Sequence, residues 1–182
     1  MHIIITDSIS LRAYRNEDRQ DLVTGLNDWQ VARWLATVPY PYRLDHADAY
    51  LARPEHRADD AAFQDSEQTL ALAICHHDRL IGGLSLVPEP QKRRGCRRKC
   101  REFGFWLSQP FWGRRIMRKA VQAVISEVRR QAPLTGFVAS ANHDNHRSQA
   151  LIVSLGFVAD DEDEVFSIPL QRQVRVIQFH LP

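Results

Sequence analysis

Hydrophobic and polar residues recur along the chain with two different periods, and the change of period separates predicted helices from predicted strands. In the first part, residues 9–13 favour a strand. Three helices follow, beginning near Asn16, Asp28 and Asp45, which are residue types that commonly cap a helix. The polar stretch 53–66 is predicted to be a mobile loop.

From residue 69 onward, short apolar runs of strand length dominate the pattern. A hairpin is expected from two of these runs, and a long amphipathic helix from the apolar positions spaced three and four apart over residues 113–130. The predicted strands are 69–75, 80–87, 101–108, 135–141, 165–168 and 175–181, with a short helix over 145–155 that Gly156 ends. This order predicts a single mixed α/β domain over residues 1–182, with 175–181 as a candidate dimer edge.

Composition is consistent with a globular protein of one domain. The 182 residues are 44% hydrophobic and 25% charged, close to the average of folded domains. The chain contains no apolar run long enough to span a membrane, and residues 1–7 lack the features of a signal peptide. Three cysteines are too few for a disulfide scaffold. These features predict a cytoplasmic location.

One segment, residues 92–101, carries seven cations and no acid, while the whole chain has a net charge of only +2. The simplest interpretation is a solvated loop between two strands. A weak contact with RNA or another polyanion is the alternative, and it would depend on salt. Cys96 and Cys100 do not have the spacing of a zinc finger. A metal site formed by these cysteines with His76 and His77 is not expected either.

The start of the long helix is unusually basic. Arg114, Arg115, Arg118 and Lys119 follow Gly113, although cations near a helix N-terminus oppose the helix dipole. A bound phosphate would reverse that penalty, because free N–H groups at a helix start bind anions. The other possibility is that these side chains are simply solvated. The chain has no P-loop, G-x-G-x-x-G turn, H-E-x-x-H helix or G-x-S-x-G elbow.

A family resemblance is carried by residues 102–120, EFGFWLSQPFWGRRIMRKA. This run resembles the acetyl-CoA-binding segment of the GNAT N-acetyltransferases, in particular the ribosomal-protein alanine N-acetyltransferase subgroup. Segments 11–18, 27–42 and 144–157 are similar to other parts of the same subgroup and occur in the same order. The resemblance therefore extends over about residues 9–181.

The resemblance implies the GNAT fold, a mixed central sheet flanked by helices, and direct transfer of acetyl from acetyl-CoA to a primary amine. Two neighbouring strands would part to admit the pantetheine arm. Backbone groups of Phe105, Trp106 and Leu107 would bond the pantetheine and polarise the thioester. The pyrophosphate would lie on the turn formed by Trp112, Gly113, Arg114, Arg115, Ile116, Met117 and Arg118.

The resemblance also assigns three polar roles. Glu102 would accept the amine's proton, Ser148 would protonate the departing thiolate, and Asn145 would bond the pantetheine arm. Each has an alternative: Glu102 as an ordinary strand carboxylate, and Asn145 and Ser148 as cap and first turn of a short helix.

Aromatic residues near the second predicted helix are candidates for the acceptor site. Trp34, Tyr40 and Tyr42 could form a wall for the amine substrate, because aromatic faces attract cations. Core and loop packing is the alternative. The acceptor itself would be a protein N-terminus or a small molecule, and the enzyme a monomer or homodimer.

Some positions depart from the family pattern. Arg115 and Met117 stand where relatives have small residues that let the backbone wrap the pyrophosphate, and Trp112 replaces a usual Gln or Arg. Val138 stands where many relatives have a glutamate. These departures leave open a second function, a GNAT domain without catalysis that binds a polyanion or a partner.

Overall fold

The computed structural model describes residues 2–54, 63, 67–89 and 99–182. Its strands are β1 (His2–Ile4), β2 (Ile9–Arg12), β3 (Leu70–His76), β4 (Arg79–Glu89), β5 (Cys100–Leu107), β6 (Gly136–Asn142), β7 (Val158–Ser167) and β8 (Arg172–Leu181). Its helices are α1 (Arg19–Leu26), α2 (Trp29–Ala32), α3 (Leu44–Leu51), α4 (Ile116–Gln131) and α5 (His146–Ser154). Short 3-10 turns lie at Asn16–Asp18 and Gln109–Phe111.

The eight strands form one sheet in the order β1-β2-β3-β4-β5-β6-β8-β7. All neighbours are antiparallel except β5 and β6, which are parallel. A parallel pair needs a crossover connection, and α4 supplies it. The predicted mixed α/β architecture is confirmed.

Each face of the sheet buries its own hydrophobic cluster. The apolar stripe of α4 is buried along its length and packs, together with Phe103 and Phe137, on one face. On the other face α1 and α3 cover β3 and β4, and Tyr14 and Leu22 belong to the buried cluster there. The period of the apolar positions in α4 is what commits one side of that helix to the core.

Three features of the edges differ from the sequence predictions. β1 was not predicted, and β7 begins at Val158 rather than at 165. The start of β7 escaped prediction because residues 160–164 are all acidic, which suits an exposed edge strand but gives no apolar alternation. The candidate dimer edge is wrong: β8 pairs with β6 on one side and β7 on the other, so it lies inside the sheet.

The basic segment is only partly within the described residues, since 92–98 lie outside them. Lys99 forms an ion pair with Glu67 at 2.8 Å. Arg101 is fully buried, and its guanidinium donates to the carbonyls of Gln68 at 2.9 Å and Leu86 at 3.3 Å. The expectation of a solvated segment is therefore wrong for Arg101, which cannot contribute to a polyanion contact. Of the predicted loop 53–66, the structure describes residues 53, 54 and 63, and Phe63 is buried in the core.

A buried ion pair ties β2 to the start of α1. The guanidinium of Arg12 donates to both carboxylate oxygens of Asp18, at 2.8 and 2.7 Å. Asp78, in the turn between β3 and β4, accepts from Arg12 at 3.0 Å and from Arg15 at 2.8 Å. Asp18 also accepts from the Arg15 N–H at 2.8 Å, so it both caps the 3-10 turn and forms this tertiary contact.

Among the helices that the structure describes, none is long and apolar enough to cross a membrane.

Candidate active site

The central feature of the site is the place where β5 and β6 part. The two strands pair only from Cys100↔Gly136 to Phe103↔Ala139. Beyond that point β5 remains paired with β4 as far as Leu107, and β6 remains paired with β8 as far as Asn142. Beyond this point the facing backbone edges of β5 and β6 are therefore not hydrogen-bonded to each other. Such unpaired edges offer N–H and C=O groups to an extended ligand.

The turn that follows β5 leads directly into α4. Gly113 has φ of +74° and Arg115 has φ of +59°, both in the left-handed region. A Cβ at Gly113 would meet nothing within 4 Å, so only the backbone conformation favours glycine there. Arg115 is the residue before α4 and makes no side-chain cap. The first N–H groups of the helix are thus left for another partner.

The two apolar residues at the start of α4 are turned into the core, whereas the neighbouring arginines are at the surface. Ile116 and Met117 are buried in the α4 face of the core. Arg114 and Arg115 are exposed, and Arg118 is half-buried. Met117, the position where relatives have a small residue, therefore points away from the surface, and Arg115 adopts the conformation that glycine would have.

Trp112 closes the turn. Its indole Nε1 donates to the carbonyl of Leu107 at 2.6 Å. The guanidinium of Arg147, in the first turn of α5, lies over the Trp112 ring at 5.1 Å from its centroid. Because Trp112 follows β5 and Arg147 follows β6, this contact links the two sides of the parted strands. Sequence reasoning missed Arg147, although it lies inside segment 144–157, which carries part of the family resemblance.

Asn145 is the N-cap of α5, where its side-chain oxygen accepts from the backbone N–H of Ser148 at 3.2 Å. An asparagine amide also has two N–H donors, so the cap leaves it able to bond a ligand. Ser148 is half-buried in the first turn of the same helix. Both residues thus follow the C-terminal end of β6, beside the gap.

Glu102 lies on β5, half-buried, opposite Val138 of β6. The hydroxyl of Ser140 donates to Glu102 Oε1 at 2.6 Å. Ser140 is the residue after the last paired position of β6, so this hydrogen bond lies where the strands begin to part. Sequence reasoning missed Ser140, because only the register of β5 against β6 reveals that it faces Glu102.

Side chains of β5 alternate between the two faces of the sheet. Phe103, Phe105 and Leu107 face α4, whereas Trp106 packs against the α1 side. Added Cβ atoms at Gly25 and Gly83 would lie 2.6 Å from the Trp106 ring, so both glycines make room for it. Glu102 shares the face of Trp106 by alternation. An acceptor that reaches Glu102 would therefore come from the α1–α3 side.

The three aromatic candidates do not form one wall. Tyr42 is buried in the α1–α3 cluster, where burial raises its pKa to about 12. Tyr40 is 42% exposed, and the centroid of its ring lies 4.9 Å from that of the Trp29 ring. Trp34 is half-buried beneath the guanidinium of Arg33. Tyr40 and Trp34 offer surface to a ligand, and Tyr42 offers little.

Within the described ranges, no group of three or more His, Cys, Asp or Glu side chains could hold a metal ion.

The family model for the acetyltransferase (GNAT) domain matches residues 8–158. A search of curated protein sequences gives no significant match. Among solved structures, the chain is similar to RimL, a ribosomal L7/L12 alpha-N-protein acetyltransferase, in complex with coenzyme A. The TM-score is 0.73 and the identity 18%, over 100% of this chain and 98% of that one.

Two further structures show the same fold. One is ribosomal-protein-S5-alanine acetyltransferase from Vibrio fischeri, with a TM-score of 0.73 and 14% identity over 98% of this chain and 95% of that one. The other is MccE, a microcin C7 self-immunity acetyltransferase in complex with acetyl-CoA and AMP. It has a TM-score of 0.71 and 17% identity over 97% of this chain and 93% of that one.

The family match covers most of the chain, including the parted strands, the turn before α4 and the start of α5. It favours an enzyme over a binding domain without catalysis. The chain therefore belongs to the GNAT family and is an acetyltransferase that uses acetyl-CoA.

Proposed function

We propose that the protein transfers the acetyl group of acetyl-CoA to a primary amine that enters from the α1–α3 side of the sheet. The observation that carries this proposal is the parting of β5 and β6 directly beside the Glu102–Ser140 pair. The gap offers backbone partners to an extended amide chain, and the carboxylate lies where that gap begins.

The turn before α4 would hold the pyrophosphate. Uncapped N–H groups at the helix start and the exposed cations Arg114 and Arg115 suit a doubly charged group. The space beside Gly113 is open, and Met117 is turned into the core. These residues therefore fit a pyrophosphate despite their departure from the family pattern. Acetyl-CoA, when bound, supplies an acetyl group activated as a thioester.

Glu102 would take the proton of the attacking amine, directly or through a water molecule. The hydrogen bond from Ser140 fixes one carboxylate oxygen and so orients the other. Ser148 would deliver a proton to the departing thiolate, and the amide of Asn145 would bond the pantetheine arm from the α5 side of the gap. Backbone groups of Phe105, Trp106 and Leu107 would bond it from the β5 side.

The acceptor would be the amino group of a protein N-terminus or of a small molecule. Two of the similar structures are named for acetylation of ribosomal proteins, which supports an N-terminal amine. The loop after α2 and the turn after β7 are joined by a hydrogen bond from Ile168 N–H to the Ala36 carbonyl at 2.8 Å. We place the acceptor beside this bridge, with Trp34 and Tyr40 as candidate walls. A cytoplasmic location, where ribosomal proteins are made, belongs to the same proposal.

The direct test is release of free thiol from acetyl-CoA in the presence of a panel of amines. The panel should contain peptides with N-terminal serine or alanine, the same peptides with a blocked N-terminus, and small polyamines. We expect thiol release with at least one free amine, and mass spectrometry should locate the acetyl group on it. Thiol release no faster than without protein for every acceptor, from an enzyme that binds acetyl-CoA, would overturn the proposal.

A further inference from the structure

A second cleft of about 200 Å³ lies beside the turn before α4. Its walls come from the β1–β2 connection, the end of β3 and the first turn of α4. In the sheet order, β1, β2 and β3 are separated from the gap between β5 and β6 by β4 and β5. The cleft is therefore distinct from the gap between β5 and β6, although both adjoin the turn before α4.

Hydrogen-bond donors and apolar groups share the walls of this cleft. The polar side chains are Thr6, Ser8, His76, Arg114 and Lys119, and the apolar ones are Ile5, Ile9, Phe111 and Ile116. Among the described residues that line it, none is acidic. The oxygen of Thr6 accepts from the Ile9 N–H at 3.1 Å, which leaves its hydroxyl hydrogen for another acceptor.

The cations of the cleft lack protein counter-charges in the described part of the chain. Neither Arg114 nor Lys119 forms an ion pair there with a carboxylate, and both are exposed. Arg114 lies over the ring of Phe111 at 5.5 Å, and the His76 ring lies 5.3 Å from the same ring. The first turn of α4 has no acid. An anion placed here would relieve the unfavourable position of cations at a helix start.

We propose that this cleft binds a phosphate monoester, with Lys119, Arg114 and the hydroxyls of Thr6 and Ser8 around the phosphate. Its volume is below the roughly 300 Å³ at which whole small-molecule sites begin, so it suits one phosphate and part of the group that carries it. The ring of Phe111 would contact that group. Two sources share this chemistry: the 3′-phosphate of coenzyme A, and a separate phosphorylated molecule. The first source rests on the proposed function, whereas the second does not.

Calorimetric titration with coenzyme A and dephospho-coenzyme A tests the first source, because these ligands differ only in the 3′-phosphate. We expect the wild type to bind coenzyme A about tenfold more tightly, the effect of one charge-assisted contact. Lys119→Gln should bring the ratio of the two affinities close to one. Arg129→Gln is the matched control, since it removes one exposed cation from the far end of α4 and should keep the ratio.

Adenosine 3′-phosphate, titrated into the same proteins alone and with saturating dephospho-coenzyme A, tests the second source. Binding in the presence of saturating dephospho-coenzyme A that Lys119→Gln weakens about tenfold and Arg129→Gln leaves unchanged would assign the cleft to a separate ligand. The titration of adenosine 3′-phosphate alone needs no binding of coenzyme A, so it separates failure of the cleft from failure of the proposed function. Equal affinity for coenzyme A and dephospho-coenzyme A, together with no Lys119-dependent binding of adenosine 3′-phosphate, would overturn the proposal.

Discussion

At the scale of single residues, the turn before α4 holds an arginine in a backbone conformation that glycine usually adopts. Arg115 adopts φ of +59° and ψ of +14°, a conformation that costs a residue with a Cβ about 1–2 kcal/mol. Its side chain is exposed beside the uncapped N–H groups of the helix. The sequence marked residue 115 as a departure from the family pattern, but it did not predict the left-handed backbone there. Local propensity does not show whether the surrounding turn enforces such a conformation.

Arg115→Gly separates strain from charge. We expect the free energy of unfolding to rise by up to about 1 kcal/mol, since relief of left-handed strain is partly offset by the freedom of glycine in the unfolded chain. Affinity for acetyl-CoA should fall by about threefold to tenfold, because the proposed pyrophosphate site loses a cation. Urea unfolding and calorimetry measure the two effects. Tighter binding of acetyl-CoA by the variant would show instead that the side chain obstructs the phosphates.

Glu102 is the residue whose loss should affect chemistry more than binding. We expect Glu102→Gln to lower kcat by about a hundredfold, the lower range for removal of a general base, with the affinity for acetyl-CoA within about twofold of wild type. Glu164→Gln, on the exposed edge strand β7, is the control and should keep kcat. Steady-state kinetics with a saturating amine make the measurement, and an unchanged kcat in Glu102→Gln would remove this residue from the mechanism.

At the scale of elements, the spacing of apolar residues predicted the helices and strands that depend on local pattern. It missed the contacts that depend on the pairing register of the strands. The buried stripe of α4 and the β3–β4 hairpin follow from apolar spacing alone. The Ser140–Glu102 hydrogen bond and the Trp112–Arg147 contact join residues at least 35 positions apart, so no local signal carries them. The parting of β5 and β6 was expected only through the family resemblance. The early part of β7 was missed because an acidic edge strand lacks an apolar face.

Asn145 caps α5 and is proposed to bind the pantetheine arm, and two substitutions separate these roles. Asn145→Ala removes the cap, so we expect a loss of about 1 kcal/mol in the free energy of unfolding together with weaker acetyl-CoA binding. Asn145→Ser keeps a good cap but removes the amide donors, so it should retain stability and still bind more weakly. Full affinity in the serine variant would restrict Asn145 to capping.

At the scale of the whole molecule, charge pairs connect the end of β2 to the turn between β3 and β4. Asp78 accepts from Arg15 and Arg12, and these hydrogen bonds hold the pKa of its carboxyl below the usual value. A carboxyl with a lowered pKa in the folded state stabilises the fold above its unfolded pKa of about 4, and that contribution is lost as the pH falls through the folded pKa.

We therefore expect the free energy of unfolding to decline as the pH is lowered below about 4, with a shallower decline in Asp78→Asn. Asparagine suits this comparison because residue 78 has φ of +66°, which asparagine tolerates well. Urea unfolding between pH 3 and pH 6 measures both curves. Parallel curves for the two proteins would mean that Asp78 does not contribute to acid sensitivity.

The most direct measurement is a calorimetric titration of acetyl-CoA into the purified protein. The parted strands, the open turn at Gly113 and the uncapped start of α4 are proposed to form one acetyl-CoA site. We expect binding of one molecule per chain with a micromolar dissociation constant, that is, a free energy of about −8 kcal/mol. Absence of binding at millimolar acetyl-CoA, by protein whose folded state is verified by circular dichroism, would contradict the proposed site and the reaction built on it.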